Sequence, residues 1–562
     1  MSLGSQASPI TLGMRALWSR FAPSFVIFFR QGVPMSVAWN PAVELSKAEQ
    51  MVAKRLKRTG KLFVFLREHR HALFDDAFQQ ELMGMYSDMP RGTKPKAPAL
   101  LAMATLLQAY EGASDAAAVE NAVFDRRWQM VLDCMGAQTP PFSQGALVDF
   151  RQRLIANDMD RRLLERTVEL AKETGGFGHK ALKVALDSAP LAGAGRVEDT
   201  FNLIGHALDI LVRCASGIAG ISPEEVRQQA GTQVIGGPSV KGALDIDWDD
   251  PEAAEGALTR LMMDVKALRS WVQTHLSAQA EQEPLQQALR LLDRVLEQDL
   301  EPDPDNPGRL RIRDGTAKER RISIEDGDMR HGRKSRSRVI NGFKNHIAVD
   351  VETGLTLAAS VRPANEREHM VEEHIRADVE RHGEVAELHI DRGYLSSRWA
   401  SELHGQGRPV YSRPWVNKRA KRFTKADFRF DFERRQATCP GGETTHIRKA
   451  KKSGKEHVTF PSSTCRQCPI REQCIPREYT RGRTITLHPT EALLQDLRDI
   501  KASPEGRKKL RLRVVVEHRL AHLVRRQGRR ARYVGLRKNT FDSRRVAAVE
   551  NLHCAQRYAE AA

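Results

Sequence analysis

The sequence predicts an α/β (α+β) protein: a mixed sheet with flanking helices, interrupted by a helical insertion and preceded by an all-α segment. Three observations carry this. Leu100, Leu101, Met103, Ala104, Leu106, Leu107 and Tyr110 recur at helical spacing inside a helical stretch over 60–175. Two short apolar runs, 181–188 and 385–390, read as buried strands, each with an acid, Asp187 or Asp391, at its end. Glu352-Thr353-Gly354 stands between strand patterns at 345–351 and 355–361 as a hairpin signal.

Taken in order, residues 21–29 form an apolar stretch after Arg15 and Arg20. It is far shorter than the ~20 residues of a membrane span, so no membrane association is expected. With no clear cleavage site behind it, 1–60 reads as a leader and poorly structured N-terminus. Ser114 and Ser143 are suited to cap two of the following helices. Arg151 and Arg153 lie beside Leu147, Phe150 and Leu154, which suits either a helix-turn-helix-like DNA-binding unit or a packing domain with solvated arginines. After the first strand comes a mostly helical stretch. From Lys241 to Asp305 it holds 15 acidic and 6 basic residues and ends in Pro302, Pro304, Pro307 and Gly308, as an insertion between two strands would. A helix is expected over 366–381. Gly393 is placed to permit a sharp exit after Asp391, and 508–526 reads as one strongly basic helix containing Glu517.

The charge balance constrains the partner. Lys plus Arg is 89 against 71 for Asp plus Glu, a net +18 over 562 residues, which favours a polyanion, nucleic acid before others. A hydrophobic fraction of 41% excludes a disordered chain. Seven unevenly spaced cysteines do not form a secreted disulfide framework. Four of them, Cys439, Cys465, Cys468 and Cys474, gather around a Cys-x-x-Cys turn suited to tetrahedral Zn2+. A structural site of all four cysteines, a site of three cysteines with His446, and free thiols are the three readings. Two strand-terminal acids plus a third on a helix would form an oxygen cage for hard cations such as Mg2+, the arrangement that phosphodiester chemistry uses with two ions.

These residues carry a resemblance. Pro98-Ala99-Leu100-Leu101, Phe124-Asp125-Arg126-Arg127-Trp128 and Phe150-Arg151-Gln152-Arg153-Leu154 are similar to the N-terminal helices of bacterial insertion-sequence transposases of the DDE superfamily. Val184-Ala185-Leu186-Asp187-Ser188, Arg330-His331-Gly332-Arg333-Lys334-Ser335, Asn341-Gly342-Phe343-Lys344-Asn345-His346, Val361-Arg362-Pro363-Ala364-Asn365 and Asp391-Arg392-Gly393-Tyr394 resemble the segments of their catalytic domain. On the last helix, Arg513 and Glu517 match the Arg-x-x-x-Glu part of the family signature. Its tyrosine position falls on Leu510 and its lysine position on Val524, with Arg525 next door.

The resemblance implies a ribonuclease H-like catalytic domain that holds two Mg2+ or Mn2+ ions on Asp187, Asp391 and Glu517 and performs metal-dependent cleavage and strand transfer of insertion-sequence DNA. The alternative is a non-catalytic or decayed DNA-binding protein of the same fold. DNA contacts are expected from Arg513, Arg525, Arg526, Arg330, Arg333, Lys334 and Lys344, and 15 basic against 3 acidic residues between Glu505 and Arg545 agree with that. Trp415 and Phe423 are candidates to stack an exposed base, against core packing as the plainer reading. The expected division is a leader (1–60), a helical DNA-binding domain (61–176), a catalytic core (177–199 and 310–430), an acidic insertion (200–309), a cysteine-containing insert (431–485), and a catalytic helix with a basic tail (486–562). The partners implied are element ends and target DNA, with a homodimer in the DNA complex, in the bacterial cytoplasm at the nucleoid.

Overall fold

The computed structural model describes residues 37–56, 60–86, 95–175, 181–237, 239–333, 337–415, 421–450 and 454–561. Most of the expected leader and Lys334 lie outside them. The leader's described part carries one helix, Lys47–Arg55, closed by a Ser46/Glu49 capping box.

Among the described residues seven helices follow, from Lys61–Leu73 to Met159–Gly175. Ser114 and Ser143 accept from the amides of Ala117 and Ala146, the caps the sequence indicated. Helix Pro98–Glu111 is buried on nearly all sides, so it forms the centre of this bundle and has no solvent face.

The sheet is mixed. Its strands are β1 (Leu182–Ala192), β2 (Arg330–Arg333), β3 (Val339–Asp350), β4 (Thr356–Pro363), β5 (Val385–His389) and β6 (Val410–Tyr411). β3 pairs antiparallel with β1 on one edge and with β4 and β2 on the other, and β5 and β6 extend the sheet in parallel beyond β1. Asp187 does not end its strand. β1 continues to Ala192 because its antiparallel ladder with β3 persists from Val184↔Asp350 to Ala192↔Gly342. Its parallel ladder with β5 stops at Ala185↔His389, so Asp187 stands just past the end of β5, level with the turn that begins at Asp391.

One apolar core runs unbroken from the helices (Phe63, Leu107, Trp128) through the sheet (Val184, Ile347, Leu388) to Phe541. The segment 200–309 has a separate core that includes Leu208, Leu211, Leu261, Leu268, Leu285 and Leu292. Its helix Thr200–Ala219 is long and apolar enough to cross a membrane by length and composition, but 61% of its most apolar window is buried inside the chain. The cysteine-containing insert is built on two three-stranded sheets.

Two expectations at the C-terminus need correction. The basic helix over 508–526 is two helices, Pro504–Arg511 and Val514–Gln527, which puts Arg513 at the start of the second. The basic tail is a 26-residue helix, Leu536–Ala561, mostly buried. Two of its cations, Arg544 and Arg545, face inward and are neutralised there, while Lys538 and Arg557 stay exposed. Arg544 donates to Asp158 (2.6 Å), Asp160 (3.2 Å) and Asp378 (3.3 Å), and Arg545 donates to Asp542 (2.6 Å). Removing one member of such a buried set strands the others' charge. Arg544→Ala is therefore expected to lower stability by about 3–5 kcal/mol in urea unfolding. Exposed Arg525→Ala should change it by less than about 0.5 kcal/mol. Equal effects would contradict the assignment of these two arginines to different jobs.

Candidate active site

The acid-bearing elements meet where β1 outruns β5. Asp187 projects from β1 with 19% of its side chain exposed, and Glu517 from the first turn of Val514–Gln527 with 47% exposed. One side chain joins them, Arg513, which lies 326 residues from Asp187 in sequence. Arg513 donates from Nη1 to Asp187 Oδ2 at 2.8 Å and from Nη2 to Glu517 Oε1. The other Asp187 oxygen accepts the Ser188 amide at 2.8 Å. Burial pushes the Asp187 carboxyl above its ordinary 3.8; Arg513 and the Ser188 amide pull it down, and the neighbouring Asp391 adds to the rise. The structure therefore brings Asp187, Asp391 and Glu517 into one region. Among the described residues, no group of three or more His, Cys, Asp or Glu side chains closes into a metal-ready cluster. Between Asp187 and Glu517 the positive charge is a guanidinium.

Behind the acids lies a hydrogen-bonded layer. Tyr394, at the end of the Asp391 turn, is buried, and its hydroxyl shares a 2.8 Å hydrogen bond with Nδ1 of buried His346 on β3. Burial, with Lys344 and Arg362 nearby, pushes the His346 imidazole down to about 3, so it stays neutral at any working pH. Burial and the surrounding acids Glu368, Asp187 and Asp391 hold the Tyr394 hydroxyl well above the usual range.

Two family models match the chain. One, described as a transposase DDE domain, matches residues 438–554; the other, a transposase domain (DUF772), matches residues 50–153. Both matched domains are transposase domains, which supports an insertion-sequence DDE transposase. No curated protein and no solved structure matches it. The DDE-domain match takes in Arg513, Glu517 and the four insert cysteines; Asp187 and Asp391 lie outside it, so their assignment rests on the sheet.

The transposase distributes the expected DNA contacts unevenly. Arg525 and Arg333 are exposed. Arg330 is instead buried and donates to the carbonyls of Gly327 (2.7 Å) and Met329 (2.8 Å), which commits it to its own turn. Half-buried Lys344 donates to the Glu366 carbonyl at 2.7 Å. Arg526 donates to Glu550 (2.9 Å) and to the Tyr110 carbonyl (2.5 Å), which ties helix Val514–Gln527 to the N-terminal bundle. Phe423 packs against the core of the cysteine insert, whereas Trp415 is 39% exposed. Trp415 donates to the Arg392 carbonyl at 3.3 Å, so it stands beside the Asp391 turn, at the edge of an open cavity of about 800 Å3 also lined by Lys421, Arg422, Lys425, His488 and Arg498.

The four insert cysteines line one cavity of about 370 Å3, and His446 is not among its lining residues. A Cβ on Gly441 would lie 3.2 Å from Cys468 Sγ and 3.6 Å from Cys439 Sγ. Burial raises the Cys474 thiol, and the other three cysteines raise it further.

Sequence reasoning missed Glu368, whose Oε1 accepts from Ser188 Oγ at 2.8 Å. Gly393 stands in the turn that leaves the strand, as the sequence suggested, but its backbone is not left-handed: a Cβ there would collide with Glu368 Oε2 at 1.8 Å. A glycine demanded by close approach was the one signal in the sequence.

The Asp187 shift has a definite sign. Its folded carboxyl is raised, so the protonated form is the one folding favours, and that contribution is lost as pH rises above 3.8. Arg513 opposes the rise. Carboxyl-carbon NMR titration should find Asp187 above 3.8 and higher still in Arg513→Gln. A lower midpoint in the variant would contradict the pairing.

Proposed function

We propose that this transposase cuts the ends of its element and joins them to target DNA, with Asp187, Asp391 and Glu517 holding two Mg2+ or Mn2+ ions. The observation that carries the reading is the single guanidinium shared by Asp187 and Glu517 beside the Asp391 turn. The donor set fits: three carboxylates offer hard oxygens and no soft ligand stands among them. The strand order, with β3 central to an antiparallel set and β5 and β6 added in parallel beside β1, supports a ribonuclease H-like core.

When bound, the ions supply acidity to an attacking oxygen and charge relief to a leaving one. The rest is work for the chain. The Ser188 amide orients Asp187 by holding one oxygen. Arg513 keeps Asp187 and Glu517 neutralised in the resting chain and turns to a phosphate when DNA arrives. Exposed Lys508, Arg511, Arg525 and Arg529 carry the strand past the acids, and the basic cavity beside Trp415 gives the displaced end room. In the first step water attacks a phosphorus, the P–O3′ bond breaks, and a proton passes from the water to O3′, leaving a 5′-phosphate and a 3′-hydroxyl. In the second that hydroxyl attacks a target phosphorus, displaces its O3′ and passes on its proton. Two element ends must be held at once, which supports a homodimer on DNA. In the insert, four thiol donors around one cavity suit a structural Zn2+, and the absence of His446 from that cavity favours four cysteine ligands over three cysteines and a histidine.

Asp187→Asn, Asp391→Asn and Glu517→Gln should each cut Mg2+-dependent cleavage of element-end DNA at least about 100-fold. Gel-shift affinity should stay within about threefold, because phosphate contacts lie elsewhere. Normal cleavage in the Asp187 or Asp391 variant would refute the reading, and a wild-type chain that binds without cutting would favour a decayed copy. Metal analysis of purified protein should find one zinc per chain, absent in Cys468→Ser; no zinc in the wild type would leave the cysteines as free thiols.

A further inference from the structure

Glu368 opens the 3-10 turn Glu368–Val371, shortly after β4. It touches both segments that carry the aspartates. Oε1 accepts from Ser188 Oγ, the neighbour of Asp187, at 2.8 Å. Oε2 lies over Gly393, two residues past Asp391, so closely that a side chain there would sit 1.8 Å from Oε2 and 2.9 Å from Cδ. Half-buried Glu368 has no ion pair among the described residues; the nearby Lys344 gives its ammonium to the Glu366 carbonyl. Lys344 attracts Glu368 through space without forming a salt bridge with it, so the carboxylate is held by the Ser188 hydroxyl and by the room left over Gly393. Nothing in its local turn requires that location, since the Arg362–Glu366 pair at 2.8 Å already fastens the chain after β4.

We propose that Glu368 is a positioning residue of the transposition site: its carboxylate braces the strand carrying Asp187 against the turn carrying Asp391, and Gly393 lacks a side chain so that this brace can form. The inference rests on the reading of Asp187 and Asp391 as metal-holding groups. Glu368 acts through Ser188 and through the path of the Asp391 turn. It fixes the spacing of the two aspartates, as groups hydrogen-bonded behind metal ligands do elsewhere.

The coupling between Glu368 and Gly393 makes this measurable. In the full-length chain, Mn2+ alone is titrated by electron paramagnetic resonance, cleavage kinetics are followed on element-end DNA, and urea midpoints record folding. Glu368→Ala should weaken Mn2+ binding about 10-fold, with a matching fall in kcat and little change in KM for DNA. Gly393→Ala should do the same by expelling the carboxylate. The double variant should resemble either single one, near 10-fold and not 100-fold, because both remove one brace. Glu368→Gln keeps an oxygen for Ser188 and should recover most of the loss. Should Glu368→Ala shift the urea midpoint strongly, Ser188→Ala, which removes only the donor hydroxyl, takes its place and should weaken Mn2+ binding in the same direction.

Wild-type Mn2+ binding and kcat in Glu368→Ala, or in Ser188→Ala where that variant replaces it, overturns the proposal, and so do additive losses in the double variant. Asp391→Asn, measured alongside, separates the two claims. If it loses Mn2+ while Glu368→Ala does not, the brace fails and the metal reading stands. If Asp391→Asn binds Mn2+ like the wild type, the metal reading fails and the brace falls with it.

Discussion

Asp187 and Glu517 come from distant parts of the chain and share the guanidinium of Arg513, with Asp391 adding its charge from the next turn. Carboxylates brought this close repel one another, and a pair of like charges 4 Å apart costs about 1 kcal/mol even at the dielectric of water and more where water is scarce. A cation between them offsets that repulsion. Arg513 takes that role from an unusual location, the start of a helix, where the helix dipole disfavours positive charge. The acids on either side offset that cost. Under the proposed function, the same charge that closes the site in the resting chain would yield when divalent ions and phosphates arrive, one cation exchanged for another.

The scaffold makes the meeting possible by ending β5 early and letting β1 run on. Asp187 is held by a continuous ladder on one edge while its other edge opens toward the Asp391 turn and helix Val514–Gln527. The long C-terminal helix lies behind both and shares its core with the N-terminal bundle. Its buried arginines bind acids of helix Met159–Gly175 and its N-terminal flank, and Arg526 reaches back to Tyr110. The two regions with transposase matches are thus joined by packing and by charge. The 200–309 segment carries its own core and enters between β1 and β2, so it adds a body without dividing the sheet.

Much of this was readable from the sequence. Asp187 and Asp391 stand out because short apolar runs with an acid at the end are visible as a pattern, and the hairpin and the caps at Ser114 and Ser143 follow from local chemistry. Where the pattern was silent, pairing decided the outcome. Arg544 and Arg545 look like phosphate contacts in a charge count, but their partners Asp158, Asp160 and Asp542 bury them, and for two of these no local spacing reveals the match. Arg330 likewise turned inward to two carbonyls. The break at Leu512 and Arg513 carries neither glycine nor proline, so a continuous helix was the natural reading. Glu368 lies in a short 3-10 turn with no periodicity to mark it, and only the bare backbone of Gly393 pointed toward a close neighbour.

The most direct test of the site is anomalous diffraction from crystals of the transposase bound to element-end DNA and soaked in Mn2+. The account requires manganese peaks flanked by Asp187, Asp391 and Glu517, with the Arg513 guanidinium withdrawn from the carboxylates and set against a phosphate. Manganese bound elsewhere on the chain, with Arg513 still joining Asp187 to Glu517 beside the cut strand, would contradict it.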